Sequence, residues 1–111
     1  MRYVCLVYMA EKDLDAIPDR ECMTFSNGLS DSGRHVASDA LQRTDTATTV
    51  RVRNGRVSIT DGPFAETKEQ LAGFYVIEAQ TLDEAIGIAS KIPPARVGSI
   101  EVRPVRELSG T

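Results

Sequence analysis

Tryptophan is absent from the 111 residues, histidine occurs once, cysteine twice, and aromatic residues make up only 5% of the chain. With His35 alone, there is no material for a His-rich metal centre, and no metal is expected. Cys5 and Cys22 lie outside any C-x-x-C pattern, and they read as free thiols filling small apolar positions. No apolar run approaches the roughly 18–20 residues of a membrane span, and residues 1–8 are too short for a signal-peptide core. A cytoplasmic protein without membrane contact is the expectation. Thirteen Lys and Arg against sixteen Asp and Glu leave a formal charge of −3. With no basic cluster, a nucleic-acid partner is not expected. The phosphate-cradling, dinucleotide, nucleophile-elbow and zinc-protease motifs are also missing, so no cofactor is announced.

What is present suits one self-sufficient domain over residues 1–111: 41% of the residues are apolar, and a chain of this length can bury a core without staples. Residues 2–9 carry apolar or aromatic side chains at both parities, the pattern of a strand covered on both faces. Residues 9–17 are polar and read as a loop. A helix is predicted from Pro18 to about Ser32, with Asp19 and Glu21 at the positive end of its dipole, an apolar stripe of Cys22, Phe25 and Leu29, and Gly33 as its left-handed terminator. Residues 35–41 read as a strand. Residues 48–53 and 57–60 alternate around Asn54-Gly55, a type I′ turn, which predicts a hairpin with one wet face. After the Asp61-Gly62-Pro63 turn, residues 65–70 read as a polar connector with room for one helical turn. Residues 73–79 form a strand. Thr81 and Glu84 form a capping box for a helix with an inner face of Leu82, Ala85, Ile86 and Ala89, ended by Pro93-Pro94. Residues 98–105 are a last strand, and Pro104 places it near an edge.

That order predicts a ferredoxin-like α+β sandwich with an added β-hairpin. Two helices cover one face of such a sheet. The other face, expected to carry Tyr3, Cys5 and Val7, would stay apolar, and this predicts a homodimer packed sheet to sheet.

Residues 60–73 are the densest chemistry, with three carboxylates, Thr67 and Lys68 directly after a strand. Asp61 can serve there as a general base, with Glu66, Lys68 and Glu69 gripping a ligand. Equally, Asp61 can bond back to its own turn, Phe64 can plug the core, and Glu66 and Glu69 can be a solvated face paired with Lys68. His35 and Asp39 share a parity if their segment is a strand, which makes them a candidate general-base pair, or simply surface residues. Arg51, Arg53 and Arg56 beside the hairpin turn form either an anion site or a solubilising wet face. Tyr8 and Tyr75, on strands expected to be neighbours, either line a pocket with phenol groups or pack in the core or an interface.

The run Asp61-Gly62-Pro63-Phe64-Ala65-Glu66-Thr67-Lys68-Glu69 resembles the DGPFAETKE signature of the YCII-related (DGPF domain) family of small bacterial proteins. The likeness extends to residues 1–4, 46–51, 82–85 and 98–105. The resemblance implies a ferredoxin-like subunit that forms a dimeric α+β barrel. It implies a structural duty for Gly62, Pro63 and Phe64 in turning and anchoring the loop, leaving Asp61, Glu66 and Glu69 for chemistry. A related branch is associated with a His–Asp pair whose histidine lies on the first helix, whereas the predicted helix here holds none. Two functions follow as expectations. One is a homodimer binding a small molecule in a cavity beside the signature loop, with Asp61 as base. The other is a non-catalytic accessory protein binding a regulatory partner such as an extracytoplasmic-function sigma factor.

Overall fold

The computed structural model describes residues 1–110. It contains β1 (Arg2–Met9), α1 (Asp19–Asp31), β2 (His35–Ala40), β3 (Thr48–Arg53), β4 (Arg56–Asp61), β5 (Gln70–Glu78), α2 (Leu82–Ala89) and β6 (Ser99–Pro104). Short 3-10 turns occupy Glu11–Asp13, Thr44–Thr46 and Pro93–Arg96. Four strands make an antiparallel sheet in the order β2-β5-β1-β6, and β3–β4 form a separate two-stranded sheet. This is the ferredoxin-like order with an inserted hairpin. No helix among the described residues is long and apolar enough to cross a membrane.

Local chemistry explains the boundaries. Gly33 has φ 77°, and the Ser32 and Arg34 amides return to the carbonyls of Gly28 and Leu29, closing α1 as the glycine predicted. Asn54 and Gly55, at φ 53° and 75°, make the tight hairpin turn. The Thr81 hydroxyl accepts the Glu84 amide at 3.1 Å and starts α2. Pro104 is the last residue of edge strand β6. Both cysteines are free.

The core lies between one face of the sheet and the helices, and here the expected parity is reversed. Tyr3, Cys5, Val7 and Met9 are buried together with Leu29, Ala85, Ala89, Tyr75, Ile77 and Ile92. Val4, Leu6 and Tyr8, with Phe74 and Val76 opposite or beside them, are only half-buried and make the uncovered face. A strand apolar on both sides carries no parity signal, so the choice belongs to the helices packed on it. Helix α2 is also rotated from its expected face. Ala85 and Ala89 point inward with Ile88 beside them, while Leu82 and Ile86 are 49% and 48% exposed.

Two further expectations fail locally. Residues 65–70 form no helical turn among the described residues; the Gln70 side-chain amide braces the loop by donating to the Ala65 carbonyl at 2.9 Å and the Thr67 carbonyl at 3.3 Å. Strand β5 starts at Gln70, before the predicted Gly73, because a bulge between the Val7 and Tyr8 pairings lets Leu71 and Gln70 join β1 after the alternation has slipped. The Pro93-Pro94 pair opens a 3-10 turn that follows α2 by three residues instead of ending it directly.

Candidate functional site

A cavity of about 890 Å³ opens on the helix-covered side of the sheet, at its β2 end. That volume lies in the range of small-molecule sites. Its walls are Val7 and Met9 from β1, Leu14 and Ile17 from the loop before α1, Cys22 and Met23 from α1, and Leu41 and Tyr75. Leu14 and Ile17 were the legible signal: the two large aliphatic residues of that loop, of which Ile17 is buried and Leu14 packs against the core. Ser26, Asn27, Ser38 and Gln42 add neutral polar groups.

Two loops meet at the rim. The Glu11 carboxylate accepts from the Thr44 hydroxyl and from the Thr44 amide at 3.4 Å. Arg43 reaches Glu11 at 3.4 Å and Asp15 at 3.0 Å. The Thr44 hydroxyl first, then its amide and Arg43, hold the Glu11 carboxyl below the usual carboxylate range against a small burial cost. The rim also carries Asp19, Asp39 and Asp45. Among the described residues, Arg43 is therefore the sole cation lining the cavity, and its charge is already engaged by two acids.

Inside, burial favours the protonated forms of Tyr75 and Cys22. Burial raises the Tyr75 phenol, an effect partly offset by its hydrogen bond with Ser26. Burial, then the charges of Asp19 and Glu21, raises the Cys22 thiol. The Tyr75 ring is fixed edge-on to Phe25, with centroids 5.4 Å apart and planes at 90°. The cavity thus offers neutral hydrogen-bond donors set in an apolar wall, and Cys22 is not an activated thiolate.

The predicted site residues fall in three places. Tyr75 and Asp39 line this cavity. Tyr8 pairs with Leu71 on the uncovered face, so the two tyrosines lie on opposite sides of the sheet and share no pocket. His35 and Asp39 are separated as well, because the ladder register shifts between His35 and Ala37. His35 then stands opposite the buried Ile77, and Asp39 opposite Phe74. The Nε2 atom of His35 instead meets the Ser38 hydroxyl at 2.8 Å.

The signature residues Asp61, Glu66, Lys68 and Glu69 do not line the cavity. Gly62, at φ 101°, makes the turn: its amide donates to the Ala47 carbonyl at 2.7 Å, and its carbonyl accepts the Thr49 hydroxyl at 2.8 Å. No hydrogen bond to the Asp61 carboxylate is found among the described residues, so it does not tie its own turn. The Glu69 carboxylate accepts the Ser99 hydroxyl at 2.7 Å. No ion pair joins Lys68 to Glu66 or Glu69 among the described residues. Phe64, the expected anchor, is 79% exposed, so it plugs nothing within its own chain.

Against known proteins, the family model of the YCII-related domain matches residues 1–109. An uncharacterized protein of Rhizobium meliloti (strain 1021) is 37% identical over 114 residues, covering 95% of this chain and 92% of its own. Among solved structures, 5-chloro-2-hydroxyhydroquinone dehydrochlorinase from Burkholderia phenoliruptrix AC1100, in complex with 2,5-dihydroxybenzoquinone, superposes with a TM-score of 0.57. It is 13% identical, over 96% of this chain and 94% of the other. At that identity the likeness is one of fold.

Proposed function

The chain belongs to the YCII-related domain family, and on that footing we propose that it binds a compact, uncharged, largely apolar small molecule in the cavity between α1 and the sheet. The observation that carries this is the cavity itself: about 890 Å³ of apolar wall with the Tyr75 and Ser26 hydroxyls set into it. A ring with one or two hydroxyl or carbonyl groups satisfies those donors and fills that wall. An anionic ligand meets a rim of four aspartates and one arginine that two acids already hold. The hydroxylated ring compounds named for the Burkholderia dehydrochlorinase belong to the favoured size class. Burial favours the protonated Tyr75 and Cys22, and Asp39 stands opposite Phe74 of the uncovered face, so no general base is assigned to the cavity. Asp61 lies outside the cavity.

The same reading has the protein act as a homodimer closed over the uncovered sheet face of Val4, Leu6, Tyr8, Phe74 and Val76. The non-catalytic accessory role is the second reading, favoured by Phe64 standing free at the signature loop.

A thermal-shift series tests the first reading, using hydroquinone, catechol and their carboxylated counterparts, with Tyr75→Phe alongside. Occupancy at about 100 times the dissociation constant adds roughly 2.7 kcal/mol of stability. The uncharged rings should raise the melting temperature, the carboxylates should not, and Tyr75→Phe should diminish the rise. Stabilisation by the carboxylates alone, or by none of the four, would overturn the assignment and favour the accessory role.

A further inference from the structure

The β3–β4 hairpin carries four exposed aliphatic side chains. Val50 stands opposite Ile59 and Val52 opposite Val57, so all four share one face of the ribbon. They are 56–68% exposed. The other face carries Arg51, Arg53 and Arg56 and belongs in water. Among the described residues no strand of the main sheet pairs with the hairpin, and its extensive packing is between its own two strands. An isolated hairpin of this kind is marginal in water, yet this one presents its aliphatic side to solvent. The chain is correspondingly spread out: its radius of gyration is 15.8 Å, against about 13 Å for a compact domain of its length.

We propose that the β3–β4 hairpin is an arm whose apolar face packs across a second copy of this chain. The proposal rests on the homodimer reading and says which segment clasps the partner. Three observations favour a second copy as the occupant. First, the chain itself owns an unpartnered apolar complement in the uncovered sheet face, and a two-fold pair buries both surfaces twice. Second, the reach fits: six-residue strands extend about 20 Å, enough to cross four strands spaced about 4.8 Å apart. Third, the area fits. At their exposures the four aliphatic side chains and Phe64 offer on the order of 500 Å² per copy, or about 1,000 Å² for two arms. That is the lower bound for a specific interface before any sheet contact is added. Phe64 sits at the arm's root, where the Arg51 guanidinium donates to its carbonyl at 3.4 Å.

Sedimentation equilibrium of the full chain, with hydrogen exchange of the amides of residues 48–61, tests the arm. The comparison uses Val52→Thr with Ile59→Thr, which keeps β-branched shapes in the ribbon, and Arg53→Ser on the wet face as control. The expected result is a wild-type dimer whose arm amides gain protection as concentration rises. The double variant should dissociate at least about tenfold more readily, and Arg53→Ser should match wild type. A wild-type dimer with unchanged association in the double variant and unprotected arm amides overturns the arm while leaving the dimer standing. A wild-type monomer at about 100 μM overturns the dimer reading and the arm together.

Discussion

Replacing Gly62 with alanine should separate the structural members of the DGPF signature from its chemical ones. Gly62 has φ 101°, and a Cβ built on it meets nothing within 4 Å, so the cost is one of backbone conformation alone. Holding an L-residue in that region costs about 1–3 kcal/mol. Alanine recovers about 0.4–1 kcal/mol by restricting the unfolded chain. The net loss is about 1–2 kcal/mol. With an unfolding entropy of about 2.1 cal/mol/K per residue, that lowers the melting temperature by about 4–9 °C. Thr49→Val removes the hydroxyl that donates to the Gly62 carbonyl at 2.8 Å and should cost about 0.5–1.5 kcal/mol. Asp61→Asn alters an exposed side chain with no bond to lose and should stay within about 0.5 kcal/mol of wild type. Calorimetry at one fixed protein concentration reads all three, which keeps any concentration dependence of the melting temperature out of the comparison. A loss in Asp61→Asn as large as that in Gly62→Ala would refute the reasoning, because the carboxylate would then be holding the turn.

Gly98→Ala should cost about 1–3 kcal/mol, since its Cβ would run into the Tyr8 carbonyl oxygen, and amide exchange should show β6 loosened before the rest of the sheet. The Glu11, Glu21 and Glu78 carboxyls are held low chiefly by hydrogen bonds from Thr44, Arg96 and the N-terminal ammonium. A folded pKa below the unfolded value of 4.5 gives stability that is present above 4.5 and lost as pH falls through the folded value. The melting temperature should therefore drop as the pH falls below 4.5, less steeply in Glu21→Gln, and an unchanged slope in that variant would contradict the assignment. Burial pushes the Cys5 thiol up to about 11 and raises that of Cys22. Both should react slowly with a disulfide reagent at pH 8 until the chain is unfolded, and a cavity ligand should slow Cys22 further while leaving Cys5 unchanged.

Some of this protein was written locally. Asn54-Gly55, Gly33 and Thr81 each act through a backbone angle or a hydrogen bond that reaches no more than a few residues, Gly62 acts through its own backbone angle, and the elements they bound lie close to where the alternation and helical stripe put them. Those local signals carry the ferredoxin-like order and the added hairpin, whereas the hairpin's separation from the main sheet is seen only in the structure. The site was less legible. Its walls come from β1, the following loop, α1, the segment after β2, and β5, and no short window of residues announces that assembly. The dense signature drew attention because its chemistry is concentrated, yet Gly62, Thr49 and Ala47 use that loop to fasten the root of the arm.

What needed the tertiary structure was the direction in which side chains face. Single-residue register shifts at β2 and β5 turn His35 away from Asp39 and extend β5 to Gln70. The packing of the helices decides that Cys5 is buried and Leu6 is left half-covered. The sequence by itself determined which elements exist, because propensity, turn chemistry and capping act over a few residues. Only the tertiary structure decided which face of each element meets the core, the cavity or solvent, because a strand apolar on both sides can be packed on either one at nearly equal cost until the helices are placed.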